Sequence, residues 1–372
     1  MEPVTHFLTG ACLGRAGLNR TSRYVTVAAV LAAEAADIDI LWGFSGPVAE
    51  LQHHRGITHT FVGAPVVAAA VVGLVALWHL ARGRRKANAQ PVRWLWLYAA
   101  ALIAALSHLF LDWTNNYGLR PFFPFNPRWY AGSFVFIAEP VLWALLAAAV
   151  VMPWLLGLAD REIGARRPAF RGRGWAIFAL VGMVAVWTWR WTEHARALEL
   201  LQTTQVTAVP ATRVAAEPYP VNPFRWHAIL DTPAYFQTAE INTHTGQIDS
   251  DPHADVLFKP AQTPAVQAAR QTPLGRVYLD WGTWAVVRDL GPEPVPGLDP
   301  PSLPTIRAQS AVPASASSSA SRWTTVEFSD LRFRYNFLGP GRPITGSPLS
   351  AFVYIVDNRD EAGTVLNGRA QK

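Results

Sequence analysis

Charge is scarce in this chain, and cysteine is nearly absent. Asp, Glu, Lys and Arg make up only 16% of the 372 residues, against about 25% in an average soluble domain. The single cysteine, Cys12, excludes an internal disulfide framework and a cysteine-built zinc site; in its apolar segment it reads as a packing residue. The opening Met-Glu-Pro-Val-Thr-His lacks the basic region and small-residue cleavage site of a signal peptide, so targeting is expected to rest on membrane spans. A net charge of +6 could suggest nucleic acid. The arginines, however, cluster in short loops between apolar stretches, with no interleaved basic and aromatic stripe, so nucleic acid is not an expected partner.

What is present is apolar: 51% of the chain, concentrated in long runs of the first half. A spanning helix needs about 20 mostly apolar residues. Segments 60–80, 94–113, 133–157 and 175–191 fit, the last a little short. A fifth, 24–44, is long enough but contains Glu34, Asp37 and Asp39, and the shorter 4–18, with His6 and Arg15, suggests a partial or re-entrant helix. Loops 81–93 and 158–174 each carry five basic residues, which marks their common side as cytoplasmic. The expectation is a mainly α, multi-pass protein of a bacterial-type inner (plasma) membrane. Its helical domain, 1–192, is followed by an extracytoplasmic β-rich domain, 193–372, with a Pro/Ser/Ala-rich loop at 291–322. Alternating runs at 275–287, 323–328, 331–337 and 351–356 suggest its strands.

Ionisable residues at the ends of spans mark function by default, and here they converge on the outer side. Asp37 and Asp39 fall toward the outer end of 24–44, His54 and His59 in the outer loop His-His-Arg-Gly-Ile-Thr-His, and His108 and Asp112 at the outer end of 94–113. The last two are four apart and share a helix face. His6 joins them if 4–18 runs inward from the outer surface, and Glu139 sits near the outer start of 133–157. Imidazole with carboxylate, without thiolate, suits zinc, manganese or iron. The set exceeds what one tetrahedral ion needs, so two or three ions are plausible, with Asp39 or Asp112 able to bridge them. Arg55 is placed to orient an anionic group. Arg120 lies in an aromatic, proline-rich stretch, 115–125, that reads as a membrane-interface anchor or a substrate rim.

The succession Thr5-His6, Ala36-Asp37-Ile38-Asp39, His54-Arg55-Gly56-Ile57-Thr58-His59 and Ser107-His108-Leu109-Phe110-Leu111-Asp112 resembles the YdjM-like family of inner-membrane metal-dependent hydrolases, over roughly residues 1–160. Where relatives show Pro-Asp-x-Asp this chain has Ala36 first, and where they often carry aspartate before a proline it has Glu139-Pro140. The resemblance implies a helical core related to zinc-dependent phospholipases C, which hold several zinc ions with His and Asp. The resulting expectation is an enzyme, a metal-dependent hydrolase of an ester or phosphoester in a lipid or envelope component. Its ligands would be His6, Asp37, Asp39, His54, His59, His108, Asp112 and Glu139, with Arg55 and Asp39 in the chemistry and Arg55 and Arg120 on the substrate. A metal-binding transporter, or a membrane scaffold with a structural metal, is the alternative.

Overall fold

A computed structural model describes residues 1–82, 90–162, 172–251, 253–301, 323–335 and 349–371. The basic residues Arg84, Arg85 and Lys86 of one expected cytoplasmic loop, Arg166, Arg167 and Arg171 of the other, and 302–322 of the Pro/Ser/Ala-rich stretch lie outside the described residues.

Helix α1 (Pro3–Arg15) is started by Glu2, whose side chain accepts from the Thr5 N–H, with proline in the first turn, where its missing donor is harmless. Thirteen residues rise about 20 Å, short of the ~30 Å hydrocarbon thickness. Helix α2 (Val25–Glu34) passes into a 3-10 segment, Ala35–Ser45, followed by α3 (Pro47–His53) and a 3-10 turn at Ile57–His59. Helices α4 (Gly63–Ala81), α5 (Trp94–Thr114), α6 (Pro140–Glu162) and α7 (Arg173–Thr203) follow. Among the described residues, α4, α5 and the Pro140–Leu158 part of α6 are long and apolar enough to cross a membrane.

Three expected spans are corrected. Segment 24–44 is not one helix: regular winding stops at Glu34, and Asp37 and Asp39 lie in the tighter 3-10 coil. Segment 133–157 is helical only from Pro140, which stands at the first position of α6, where its missing donor is harmless; a second proline, Pro153, lies inside the helix. Segment 175–191 lies within α7, but that helix continues to Thr203 and is not among the three apolar enough to span; its Arg190 is buried.

Close helix crossings rest on small residues. Methyls of Ala28, Ala29, Ala32 and Ala33 on α2 meet Ala100, Ala101 and Ala104 on α5, within a cluster that adds Val25, Val71, Val75 and Leu97. On α1, a Cβ at Gly10 would lie 2.8 Å from the Ala29 carbonyl oxygen, and one at Gly14 would lie 2.7 Å from Thr26 Cα. Side chains this small let backbones approach as they do between membrane helices.

The remaining elements are two sheets and two short helices. Strands β1 (Arg213–Pro218), β2 (Arg225–Asp231), β3 (Tyr235–Asn242) and β4 (Gln247–Asp249) are ordered β1-β2-β3-β4, and β5 (Val256–Phe258) also pairs with β3. After α8 (Pro264–Gln271) and α9 (Pro273–Trp281) come β6 (Ala285–Asp289), β7 (Trp323–Asp330), β8 (Ala351–Val356), β9 (Asp360–Leu366) and β10 (Arg369–Ala370). These form an antiparallel sheet in the order β10-β9-β8-β7-β6, so the expected strands at 323–328 and 351–356 are present as β7 and β8.

The expected strand at 275–287 is instead most of α9 and the start of β6. Thr272 caps α9 by accepting from the Gly275 N–H, and the buried Leu274, Tyr278 and Trp281 recur at helical spacing. Residues 331–333, expected in a strand, form a 3-10 turn capped by Asp330, and 336–337 lie outside the described residues.

Contacts divide the chain into two units: 1–40, 54–230 and 238–250 in the first, and 41–53, 231–237 and 251–372 in the second. That division differs from a single cut after residue 192. Helix α7 runs past that point, the first sheet falls mostly in the first unit, and 41–53 belong to the second.

Candidate metal centre

Every candidate ligand lies in the first unit. His108 sits one turn before Asp112 on α5, and both are fully buried. The His108 Nδ1–H donates to the Ala33 carbonyl at the end of α2, 2.6 Å away. An imidazole whose Nδ1 carries the proton presents a bare lone pair on Nε2. His59, buried in its 3-10 turn, has its Nδ1 3.2 Å from Asp39 Oδ2 and 3.1 Å from the Thr58 hydroxyl; with the proton on Nδ1 toward Asp39, its Nε2 presents a lone pair.

The two Nε2 atoms face each other. His59 Nε2 and His108 Nε2 are 3.0 Å apart. Asp37 Oδ1 lies 3.3 Å from the first and 3.6 Å from the second. Asp112 Oδ2 lies 3.5 and 3.4 Å from the same pair, and it has no hydrogen-bond partner although it is buried. One proton on His59 Nε2 can serve only one of these acceptors, whereas a divalent ion could take several of them at once. Ligands about 2.0–2.1 Å from a tetrahedral zinc lie about 3.3–3.4 Å apart. The four nitrogen–oxygen separations are close to this and the nitrogen pair is shorter; Asp37, His59 and His108 form one group that could hold a metal.

Asp112 faces both ways. Its Oδ1 accepts from Arg55 Nη2 at 2.8 Å and from the buried Met1 amine, and lies 3.4 Å from His6 Nε2. His6, stacked on the His108 ring at 3.8 Å, forms with His108 and Asp112 a second group that could hold a metal. The two groups share His108, which has one free nitrogen, so they are not two complete sites.

Asp39 orients rather than converges. It accepts from the Arg55 backbone N–H at 2.7 Å, holds His59, and lies 3.5 Å from His54 Nδ1. Burial pushes its carboxyl upward, but the hydrogen bonds from His54 and His59 outweigh that and leave it well below the usual carboxylate range. Removing it, as Asp39→Ala, is expected to free the His59 ring and weaken zinc binding about 10–100-fold at unchanged stoichiometry, as read by competition with a chelating indicator.

Arg55 adopts a left-handed backbone, φ +51°, which turns its amide to Asp39 while its guanidinium reaches Asp112, the Gly118 carbonyl at 2.6 Å and the Tyr117 ring at 4.7 Å. Burial pulls it down to about 10, so it remains charged at neutral pH. The expected anion holder is thus engaged by the site itself. Arg120 is nearly buried, its guanidinium over Phe123 and Trp129 at 5.2 and 4.8 Å. His54 is the outlying histidine, edge-on to Tyr117, and His53 stacks on Trp42 instead.

Glu139 is not brought to these groups. Its Oε2 accepts from Arg190 Nη2 at 2.7 Å and its Oε1 from the Val221 N–H at 3.1 Å, all well buried except Val221. The sequence reading did not give Glu34 a site role. Its carboxyl is pushed up to about 7 by burial and by Asp37 three residues on. The Glu-Ala-Ala-Asp spacing, one helical turn, was the available signal.

Fold and cluster together define a multi-pass membrane protein with His and Asp groups able to hold a metal ion. The chain belongs to the YdjM inner membrane protein family, which matches residues 1–197. It is also similar to the uncharacterized protein YfhP of Bacillus subtilis (strain 168), 25% identical over 165 residues. That match covers 42% of this chain and 47% of the relative, so the chain spans about half the relative's length. No solved structure matches.

Proposed function

We propose that this protein is a membrane-bound, metal-dependent hydrolase of an ester or phosphoester in a lipid or envelope component. Asp37, His59, His108 and Asp112 would hold a divalent ion, zinc in preference to manganese. The observation that carries this reading is the convergence of His59 Nε2 and His108 Nε2 with one carboxylate oxygen each from Asp37 and Asp112, each oxygen within 3.6 Å of both nitrogens. A second ion has weaker support, because the Asp112 oxygen facing His6 already serves Arg55 and the Met1 amine.

Such an ion, when bound, supplies Lewis-acid chemistry and activates water near neutral pH. The protein's own part is orientation: the Ala33 carbonyl and Asp39 fix the two rings, and Arg55 holds Asp112. Of the four ligands only Asp37 is partly open, its side chain 27% exposed, so water or substrate approaches from that side. The reading takes the site to lie outside the cytoplasm, on the strength of the basic residues in 81–93 and 158–174, and places the β-rich part there too only if α7, which starts from the 158–174 side, crosses the membrane.

Burial of the other three ligands favours a second reading, a structural ion closed off by four protein ligands. The two separate on one assay. Zinc-loaded protein in detergent is mixed with phosphatidylglycerol and phosphatidylethanolamine micelles and with soluble ester and phosphoester substrates. Hydrolysis that needs zinc and falls at least 100-fold in Asp37→Asn is the expected result. Full zinc occupancy without turnover of any substrate would leave the structural ion as the surviving reading.

A further inference from the structure

Residues 41–53 interrupt the ligand sequence. Asp37 and Asp39 precede them and His54, Arg55 and His59 follow, yet 41–53 belong to the second unit. Within that unit the loop is pinned at several points. Trp42 stacks on His53 with ring centroids 4.0 Å apart, which ties its two ends together. Its helix, α3, packs against α9 and β9. Arg369 of β10 donates Nη1 to Glu50 Oε2 at 2.6 Å and Nη2 to the Gly43 carbonyl at 3.4 Å. Gln371 accepts from the Val48 N–H at 3.1 Å and donates to the Ser45 carbonyl at 3.4 Å. Gly46 permits this approach: its φ is +108°, and a Cβ there would lie 2.3 Å from Gln371 Nε2.

We propose that 41–53 are a positioning loop, clamped by Arg369 and Gln371, that sets the metal affinity of the centre through its covalent junctions at Ile40 and His54. The proposal rests on the metal-binding reading given above. Its physical basis is loop closure. Asp39 and His54 stand 3.5 Å apart at their side chains, so the chain between them must return on itself. Closing a loose loop of this length has an entropic cost. While β10 and the Trp42–His53 stack hold the loop closed, that cost falls on folding of the second unit. When the clamp opens, it falls on metal binding. Arg369, Gln371 and Gly46 are positioning residues in this sense, and none of them is a ligand.

The test uses the full chain in detergent. Zinc dissociation constants are measured by competition with a chelating indicator, and amide exchange over 54–59 is followed in metal-free protein. In Arg369→Glu and in Gly46→Val, zinc is expected to bind about five- to tenfold more weakly at unchanged stoichiometry, with faster exchange over 54–59. The charge swap Glu50→Arg with Arg369→Glu is expected to return both readouts toward the parent, which a merely misfolded variant would not do. Unchanged exchange and unchanged affinity in both single variants, with normal zinc in the parent, would overturn this proposal alone. A parent that binds no zinc would overturn the metal-binding reading and the claim on affinity with it.

Discussion

His59→Ala protein purified in detergent is expected to bind zinc on the order of 100-fold more weakly than the parent, which carries at least one ion per chain. His59 contributes one of the two facing Nε2 atoms, and His108 Nδ1 is committed to Ala33. Structural zinc in small domains binds with about 10–16 kcal/mol, so one ligand of four represents about 3 kcal/mol, on the order of 100-fold in affinity. His59 is a cleaner choice than Asp112. Removing Asp112 also strands the buried Arg55 guanidinium and Met1 amine, and an uncompensated buried charge costs about 3–5 kcal/mol. Elemental analysis with a melting curve on the same sample separates the two effects. A folded His59→Ala protein with the parent's zinc content and affinity would refute the centre as drawn.

The second large effect concerns stability. Glu139→Ala is expected to lose about 3–5 kcal/mol, because the Arg190 charge then stays buried without its partner and the Val221 amide loses its acceptor. For a protein of this size that corresponds to a fall of roughly 4–6 °C in melting temperature. Zinc content is expected to be unchanged. The double variant Glu139→Leu, Arg190→Met, which removes both charges together, is expected to recover most of the loss. Zinc lost from Glu139→Ala while the protein stays folded would instead return Glu139 to the ligand set.

The elements most legible in the sequence were those with one dominant signal. Helix α5 was bounded within a residue by its apolar run, and the His108–Asp112 spacing alone put both side chains on one buried face. The spans containing Asp37, Asp39 or Pro140 were overextended, because hydropathy averages over residues that locally end a helix. Arg190 falls at the outer end of the expected span 175–191, yet it is an interior ion-pair partner of Glu139. No linear pattern joins positions 51 residues apart on two different elements. Helix α9 was missed although Thr272-Pro273 is a helix-start signal, because the aromatic and β-branched residues that follow mimic strand alternation. The orienting roles of Ala33 and Asp39 depend on tertiary contact and on which ring nitrogen faces which acceptor, and composition carries neither.

The 2.6 Å bond from His108 to the Ala33 carbonyl ties a helix long enough to span the membrane to one that is not. Spanning helices respond to bilayer thickness by tilting. Were α5 to tilt against α2, the alanine seam between them would have to slip, and the imidazole would turn with the carbonyl that steers it. A change in bilayer thickness that tilted α5 would thus be felt at the His108 ring through the Ala33 carbonyl.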